Sequence, residues 1–411
     1  MWHFGFDNLW WKRADWATYI CCIKIRKLSL WSLSLFISLC NLSWLGISLF
    51  IKDYNVLLII IIITIVTLFI EMTHSEDRFL LVSMLIISVL FMTHSNLFII
   101  YFIFELRILP VLIILLLGGM QIEKVKASYY LISYGLLFSI PFLWFIMEVN
   151  LLGVLIVNVK VSYWLILMLL SIFFMKLPLF FFHHWLPKVH VEASTPASIL
   201  LAAVLLKFGG VGLILFLKWF IRICWLIIII SLLGIVISSL LCTIQSDMKS
   251  FLAYSSVSHM CFLSLSLMLV SSITKYSSII IIIGHGWVSG GTFFLIGELY
   301  HNNQTRLFFW IKGLFGSRWL LTLTWSLLFW LNLGVPPTLG FFSEVFGFIG
   351  MLLTHSWLWL RLFGYFMLAF MYTLYVNMIS YVGKYSLKSN SYLIFSIQFL
   401  IVIRMLFIML L

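Results

Sequence analysis

The sequence predicts an all-α polytopic membrane protein of about thirteen transmembrane helices, and three observations predict it. The 411-residue chain is 64% hydrophobic and 9% charged, with a mean hydropathy of +1.18. Its apolar runs repeatedly reach the ~20 residues that cross a bilayer. Period-two alternation with short turns, the mark of a membrane barrel, is absent. A soluble domain has too little room in its core for so much apolar surface.

Taken in order, the spans fall near 28–50, 54–72, 77–95, 96–119 and 127–149, then 161–186 and 193–217. The second half reads 223–243, 249–270, 276–300, 318–352, 355–382 and 391–411. The 318–352 run is too long for one span, and Pro336-Pro337 divide it into two half-helices around an unwound middle. Counting from residue 77, five spans end near 221, and Pro178 breaks the fourth. Five more end near 382, and Pro336-Pro337 break their fourth. An odd number of helices per unit turns the second copy upside down, and Pro-interrupted segments at matching positions mark an inverted repeat. The expected organisation is residues 1–76 with two helices, a five-helix repeat over 77–221, an inverted five-helix repeat over 222–383, and a last helix in 384–411.

The net charge is +12, from 25 Lys+Arg against 13 Asp+Glu. The basic residues lie mostly in short connections, where they anchor helices near headgroups. No basic run with interleaved aromatics forms a nucleic-acid surface. The six cysteines form no CxxC pair and sit mostly in apolar runs, as small hydrophobes. The N-terminal stretch has neither a clean signal-peptide core nor an Arg/Ser-rich transit pattern. Scarce alanine with abundant Phe, Ile, Leu, Tyr and Met fits an AT-rich organellar genome. No GxGxxG after a strand, P-loop, GxSxG or HExxH is present, so nothing in the chain holds a nucleotide or a redox centre.

Against this background the ionisable residues inside apolar runs stand out, because each costs roughly 2.5–3.5 kcal/mol at the helix centre and commonly marks an ion or proton pathway. Glu105 sits in YFIFELRILP, with Arg107 on another side of the same helix and able to compete for its partner. Its bland alternative is a carboxylate reaching headgroups. Lys176, in MKLPLFFFHHWLPK, is either a snorkelling lysine at an early helix end or a buried proton carrier. Lys207, in ASILLAAVLLKFGGVG, lies near mid-membrane. The glycines after it make room for water or a neighbouring backbone, and any counter-charge must come from another helix. His183 and His184 lack companions for a metal site, and a polar-surface role near Trp185 suits them better. His259 and His285 each have a serine one turn away, Ser255 and Ser289, and the two look like a relay rather than two satisfied core residues. Glu344 follows the second proline break and occupies the place that Lys176 has at the first. Glu148 and Glu298 read as interfacial.

FELRILP, MKLPLFFFHHWLPKVHVEASTPASILLAAVLLKFGG, QSDMKSFLAYSSVSHM, IGHGWVSG and GVPPTLGFFSE together resemble the proton-pumping subunits of mitochondrial NADH:ubiquinone oxidoreductase (respiratory complex I), a family related to Mrp-type cation/proton antiporters. The resemblance covers most of residues 77–382 in order. It implies a mid-membrane relay in which Glu105 pairs with Lys176, Lys207 is the central lysine, His259 and His285 carry protons onward, and Glu344 ends the axis. It also implies an N-terminal part about one helix shorter than in longer relatives, and makes Arg107 an unusual neighbour for the glutamate. No cofactor is expected in this chain, the parent complex holding NADH, FMN, iron–sulfur clusters and ubiquinone. The implied partners are other membrane-arm subunits and lipids such as cardiolipin, in the mitochondrial inner membrane. Two alternatives stay open: an autonomous Mrp-type antiporter subunit, and a structural membrane subunit with no channel of its own.

Overall fold

A computed structural model describes residues 75–93, 96–118, 123–151, 162–220, 224–303, 305–313, 319–355 and 357–382. The spans expected at 28–50, 54–72 and 391–411 lie outside the described residues. Among the described residues there are helices and one isolated antiparallel bridge, Asp247 to Leu307, and no strand.

The helices are α1 (Ser75–Thr93), α2 (Leu97–Leu106), α3 (Ile108–Gly118), α4 (Lys124–Leu151), α5 (Tyr163–Lys176) and α6 (Trp185–Glu192). Then come α7 (Thr195–Leu200), a π turn (Leu201–Leu205) and α8 (Leu206–Phe220) in one continuous rod. The rest are α9 (Cys224–Ile244), α10 (Met248–Met268), α11 (Ser272–Asn303), α12 (Trp319–Leu333), α13 (Leu339–Thr354) and α14 (Leu358–Tyr381). Among the described residues seven stretches are long and apolar enough to cross a membrane: Leu97–Gly118, Lys124–Val149, Thr195–Leu217, Trp225–Ile244, Met248–Met268, Ser272–Tyr300 and Leu358–Tyr381. Shorter apolar helices, among them Tyr163–Lys176, Leu321–Leu333 and Leu339–Thr354, lie at the interruptions, and the span expected over 161–186 ends as a helix at Lys176.

The rods Thr195–Leu217, Met248–Met268 and Ser272–Tyr300 are the buried ones, whereas α4 and α14 leave most of their surface outside. α10 packs on α9 and α11, and α11 packs on α13. Exposed Tyr129, Trp144, Tyr163, Trp164, Trp357 and Trp359 are spread over the outer helices α4, α5 and α14 and their ends, where amphipathic rings suit the lipid–water boundary.

Three backbone irregularities shape the centre. Pro178 has no N–H, so the Phe174 carbonyl is taken instead by the Leu179 N–H at 3.2 Å, and the Met175 carbonyl by the buried indole N–H of Trp185 at 3.0 Å. The chain then turns through Phe181, a bulky residue held at φ 78, before α6 begins. In the second half α12 closes with Gly334 at φ 77. Its N–H bonds the Leu331 carbonyl and that of Val335 bonds the Trp330 carbonyl, the two bonds of a Schellman stop. The Pro336-Pro337 bond is cis. α13 then restarts with the Thr338 hydroxyl accepting from the Phe341 N–H at 3.1 Å. The two half-helices expected over 318–352 are therefore present.

The third irregularity lies inside the 96–119 span, which is present as one apolar stretch over Leu97–Gly118 with a single irregular residue, Arg107, between α2 and α3. Pro110 accounts for this, since it cannot bond the Leu106 carbonyl and its ring crowds it.

Candidate functional site: the buried polar axis

Lys207 is 2% exposed, at the point where the π turn passes into α8. In that turn the Leu206 N–H reaches back to the Leu201 carbonyl, one residue further than in an α-helix. The widened coil leaves the Ala202 carbonyl within 2.5 Å of the Lys207 ammonium, which donates to it. The second partner of the Lys207 Nζ is His285 Nδ1 at 2.9 Å, from α11. Among the described residues no carboxylate is an electrostatic neighbour of Lys207, and its partners are an imidazole from another helix and a main-chain carbonyl. Either the ammonium donates to an unprotonated Nδ1, or a protonated Nδ1 donates to the amine. One proton shared along a 2.9 Å contact is the chemistry this pair can do.

His259 of α10 stands beside His285, ring centroids 5.4 Å apart. Its Nε2 is buried without a hydrogen-bond partner, and it interacts with the main chain of Asn332 at the end of α12. The expected serine partners are not engaged: Ser255 donates to the Leu252 carbonyl and Ser289 to the Gly286 carbonyl. A helical serine finds its own chain one turn back before it finds a neighbour. The two histidines are instead adjacent to each other.

A cavity of about 30 Å³ lies beyond them, lined by His259, His285, Asn332, Gly340, Ser343 and Glu344 among others. Its walls are largely apolar, with polar groups supplied by His259, His285, Asn332, Ser343 and Glu344, and it is large enough for one or two waters. Glu344 is half-buried on α13 and lies against the Gly334 backbone, where a Cβ would stand 2.9 Å from its Oε2. Lys207, His285, His259 and Glu344 are thus brought together in sequence.

Glu105 and Lys176 form a second cluster. Lys176 is 1% exposed at the last turn of α5, and its Nζ lies 5.1 Å from the centre of the Phe104 ring. Arg107 and Glu105 are its charged neighbours. Arg107 is fully buried, with Cζ 3.8 Å from the Phe104 ring and 4.5 Å from that of Phe208. Its three side-chain nitrogens and Glu105 Oε1 have no hydrogen-bond partner. This cluster meets the first through backbone. A Cβ at Gly209, two residues after Lys207, would lie 3.1 Å from both Leu177 N and Lys176 C, so the glycine makes room for a neighbouring main chain rather than for water.

Sequence reasoning misplaced His183 and passed over His190, Lys249 and Arg306. His183, expected at a polar surface, is 2% exposed and stacked on Phe180, while His184 beside it is exposed. His190, seven residues further on, is fully buried and stacked on Phe293 at 4.5 Å, with neither ring nitrogen hydrogen-bonded. Lys207 and Lys249 are its charged neighbours. Lys249 is 5% exposed and donates to the Ala193 carbonyl at 2.6 Å, and Arg306 donates to that of Val191. These cations cap the C-terminal end of α6, where its unpaired carbonyls concentrate negative potential. Next to them a cleft of about 410 Å³ opens between α4, α6 and α10, lined by Glu123, Lys126, Tyr130, Lys188, Glu192 and Tyr254 among others. Burial raises the Glu192 carboxyl above its ordinary range, against the pull of Arg306. Among the described residues no group of three His, Cys, Asp or Glu is placed to hold a metal ion.

The profile of the family described as NADH:quinone oxidoreductase/Mrp antiporter, TM, matches residues 94–371. The chain is 39% identical over 293 residues to the NADH-ubiquinone oxidoreductase chain 4 of Caenorhabditis elegans, covering 70% of this chain and 71% of that one. It is 31% identical to the chain of the same name from Apis mellifera ligustica, covering 86% and 83%. Among solved structures it is similar to a chain of respiratory complex I from Thermus thermophilus with bound NADH, with a TM-score of 0.77 at 23% identity, covering 86% and 80%. It is also similar to a chain of the Mrp complex from Dietzia sp., with a TM-score of 0.69 at 17% identity, covering 81% and 68%.

Proposed function

The chain belongs to the NADH:quinone oxidoreductase/Mrp antiporter transmembrane family, and from that membership we propose that it is a proton-translocating membrane-arm subunit of NADH:ubiquinone oxidoreductase. It carries no redox centre and moves protons while NADH oxidation and quinone reduction proceed in neighbouring subunits. Its relatives from animals carry the name of chain 4 of that enzyme, and that name supports the reading of a mitochondrial inner-membrane subunit working beside other membrane-arm subunits and lipids such as cardiolipin.

The observation that carries the reading is the Lys207–His285 contact at 2.9 Å, continued by His259 toward the cavity and Glu344. A buried lysine paired with an imidazole instead of a carboxylate has a low-cost proton acceptor in line. In this reading Glu105 and Lys176 form the input. A change in the charge felt at Glu105 moves Lys176, and Lys207 passes its proton to His285 and on through His259 to Glu344. A change of one pKa unit anywhere along the line is worth ~1.4 kcal/mol, so one rearranged desolvated pair supplies several units. The division into residues 77–221 and 222–383 as inverted five-helix repeats belongs to the same proposal. It is supported by the matching interruptions after Lys176 and before Leu339.

Lys207→Met is the test. Protons moved per electron pair, measured in coupled vesicles, are expected to fall while the complex still assembles, and full stoichiometry would sink the relay. An autonomous cation/proton antiporter is the second reading, favoured by the likeness to the Mrp complex. Sodium-dependent transport by the chain reconstituted without the oxidoreductase would select it.

A further inference from the structure

Arg107 is the one feature of the second cluster that the relay does not use. The guanidinium is fully buried, none of its three nitrogens has a hydrogen-bond partner, and it rests between the rings of Phe104 and Phe208. Phe104 is also the ring beneath Lys176. Two cations therefore share one aromatic side chain, and the carboxylate that is electrostatic neighbour to both is Glu105. An arginine keeps its charge in such a place, and its forked donors fit a carboxylate.

We propose that Arg107 is a positioning residue that shares the Glu105 carboxylate with Lys176, turning a glutamate–lysine pair into a three-membered switch. This rests on the proton-translocating reading above. The physical reason is the cost of separating a buried ion pair. When one partner leaves, the other stays as an uncompensated charge, and that penalty dominates the step. With Arg107 beside it, Glu105 changes partner instead of losing one. In one state it faces Lys176 and the guanidinium rests on its two rings. In the other it accepts from the guanidinium, and Lys176 turns toward the break at Leu177, where α8 passes at Gly209. Glu105 Oε1 and all three Arg107 nitrogens being without partners is what such a poised arrangement requires.

A double-mutant cycle tests this in the assembled complex, with Glu105→Gln, Arg107→Met and both together. Coupled turnover and protons per electron pair are read in vesicles and normalised to complex content. Glu105→Gln is expected to lower proton stoichiometry. Arg107→Met is expected to slow coupled turnover about tenfold, equivalent to ~1.4 kcal/mol on the partner exchange. In the Glu105→Gln background Arg107→Met adds nothing, and Arg107→Lys recovers most of the loss. Should Arg107→Met not assemble, Arg107→Gln carries the same comparison. An equal Arg107 effect in both backgrounds, or no effect, or no recovery by lysine, overturns the switch and leaves Arg107 a packing residue. If Glu105→Gln alone changes nothing, it is the proton-relay reading itself that fails.

Discussion

Gly334→Ala separates backbone strain from carboxylate placement at the far end of the polar axis. Gly334 closes α12 at φ 77, a region that costs an alanine ~1–2 kcal/mol. A Cβ there would also stand 2.9 Å from Glu344 Oε2, 3.2 Å from Glu344 Cδ and 3.2 Å from the Gly340 carbonyl carbon. Real Cβ atoms do not approach so closely, so the carboxylate must move into the ~30 Å³ cavity it shares with His259 and His285. The expected outcome is a loss of roughly 1–2 kcal/mol in stability, read as an earlier thermal transition of the solubilised complex, together with fewer protons per electron pair. Gly334→Asn divides the two effects. Asparagine tolerates a left-handed backbone better than alanine, so stability partly returns, but its Cβ still displaces Glu344 and pumping stays low. If asparagine restored pumping along with stability, the position of the Glu344 carboxylate would be irrelevant and the reasoning refuted.

Three further substitutions test the frame around the axis. Trp185→Phe strands the Met175 carbonyl and is expected to cost ~1–3 kcal/mol, seen as reduced complex on native gels and an earlier melt; a wild-type melt would mean another donor serves that carbonyl. Gly297→Ala would place a Cβ 2.3 Å from Thr195 Cγ2, an overpacking of roughly 1–3 kcal/mol. Adding Thr195→Ser removes that methyl group but keeps the Thr195 Cβ at 2.9 Å, so assembly is expected to return in part, and no recovery at all would place the clash elsewhere. Gly209→Ala would bring a Cβ to 3.1 Å from both Leu177 N and Lys176 C, and these are main-chain atoms that cannot rotate aside. Proton stoichiometry is expected to fall with stability, whereas lost stability with unchanged pumping would show that the two clusters do not communicate there.

Much of this was readable from the chain because lipid leaves few choices. A run of twenty apolar residues becomes a helix since every N–H and C=O must be paired within the segment, and a proline in such a run breaks it because it withdraws one donor. The interruptions at Pro178 and at Pro336-Pro337 follow that rule, whereas Pro141 sits inside the continuous α4 without breaking it, so the rule alone does not fix where a break falls. What escaped lies beyond local rules. The π turn over Leu201–Leu205 contains neither proline nor glycine, so nothing in LAAVL announces that the Ala202 carbonyl will be offered to Lys207. The Lys207–His285 pair joins residues 78 apart in the chain, and no spacing argument reaches across that distance. The spacing puts Arg107 on another side of the helix yet able to compete for the partner of Glu105, and what it does not show is the full burial of the arginine. Two phenylalanine faces drew the guanidinium inward. Lys249, in QSDMKSF at a helix start, looks like any surface lysine, and its burial depends on α6 ending against it. His190 did carry a signal, falling seven residues after His183, close to one helical face.

The interruptions and the ionisable residues share a cause. A broken helix in a membrane presents orphaned backbone groups, and these are tolerable only inside the bundle, where side-chain donors can reach them. Trp185, Lys249 and Arg306 are such donors. Once a polar lining exists there, a lysine or histidine beside it costs much less than in lipid, because its hydrogen bonds are already supplied. The π turn beneath Lys207 obeys the same logic on a smaller scale, giving up one regular hydrogen bond to leave a carbonyl for the ammonium. Backbone irregularity therefore comes first in the physical order and charge is placed where it permits. That order explains why Lys176, Lys207 and Glu344 each lie within one or two turns of a departure from regular α-helix, while α4 and α14, the unbroken helices with the most outward surface, contribute nothing to the axis.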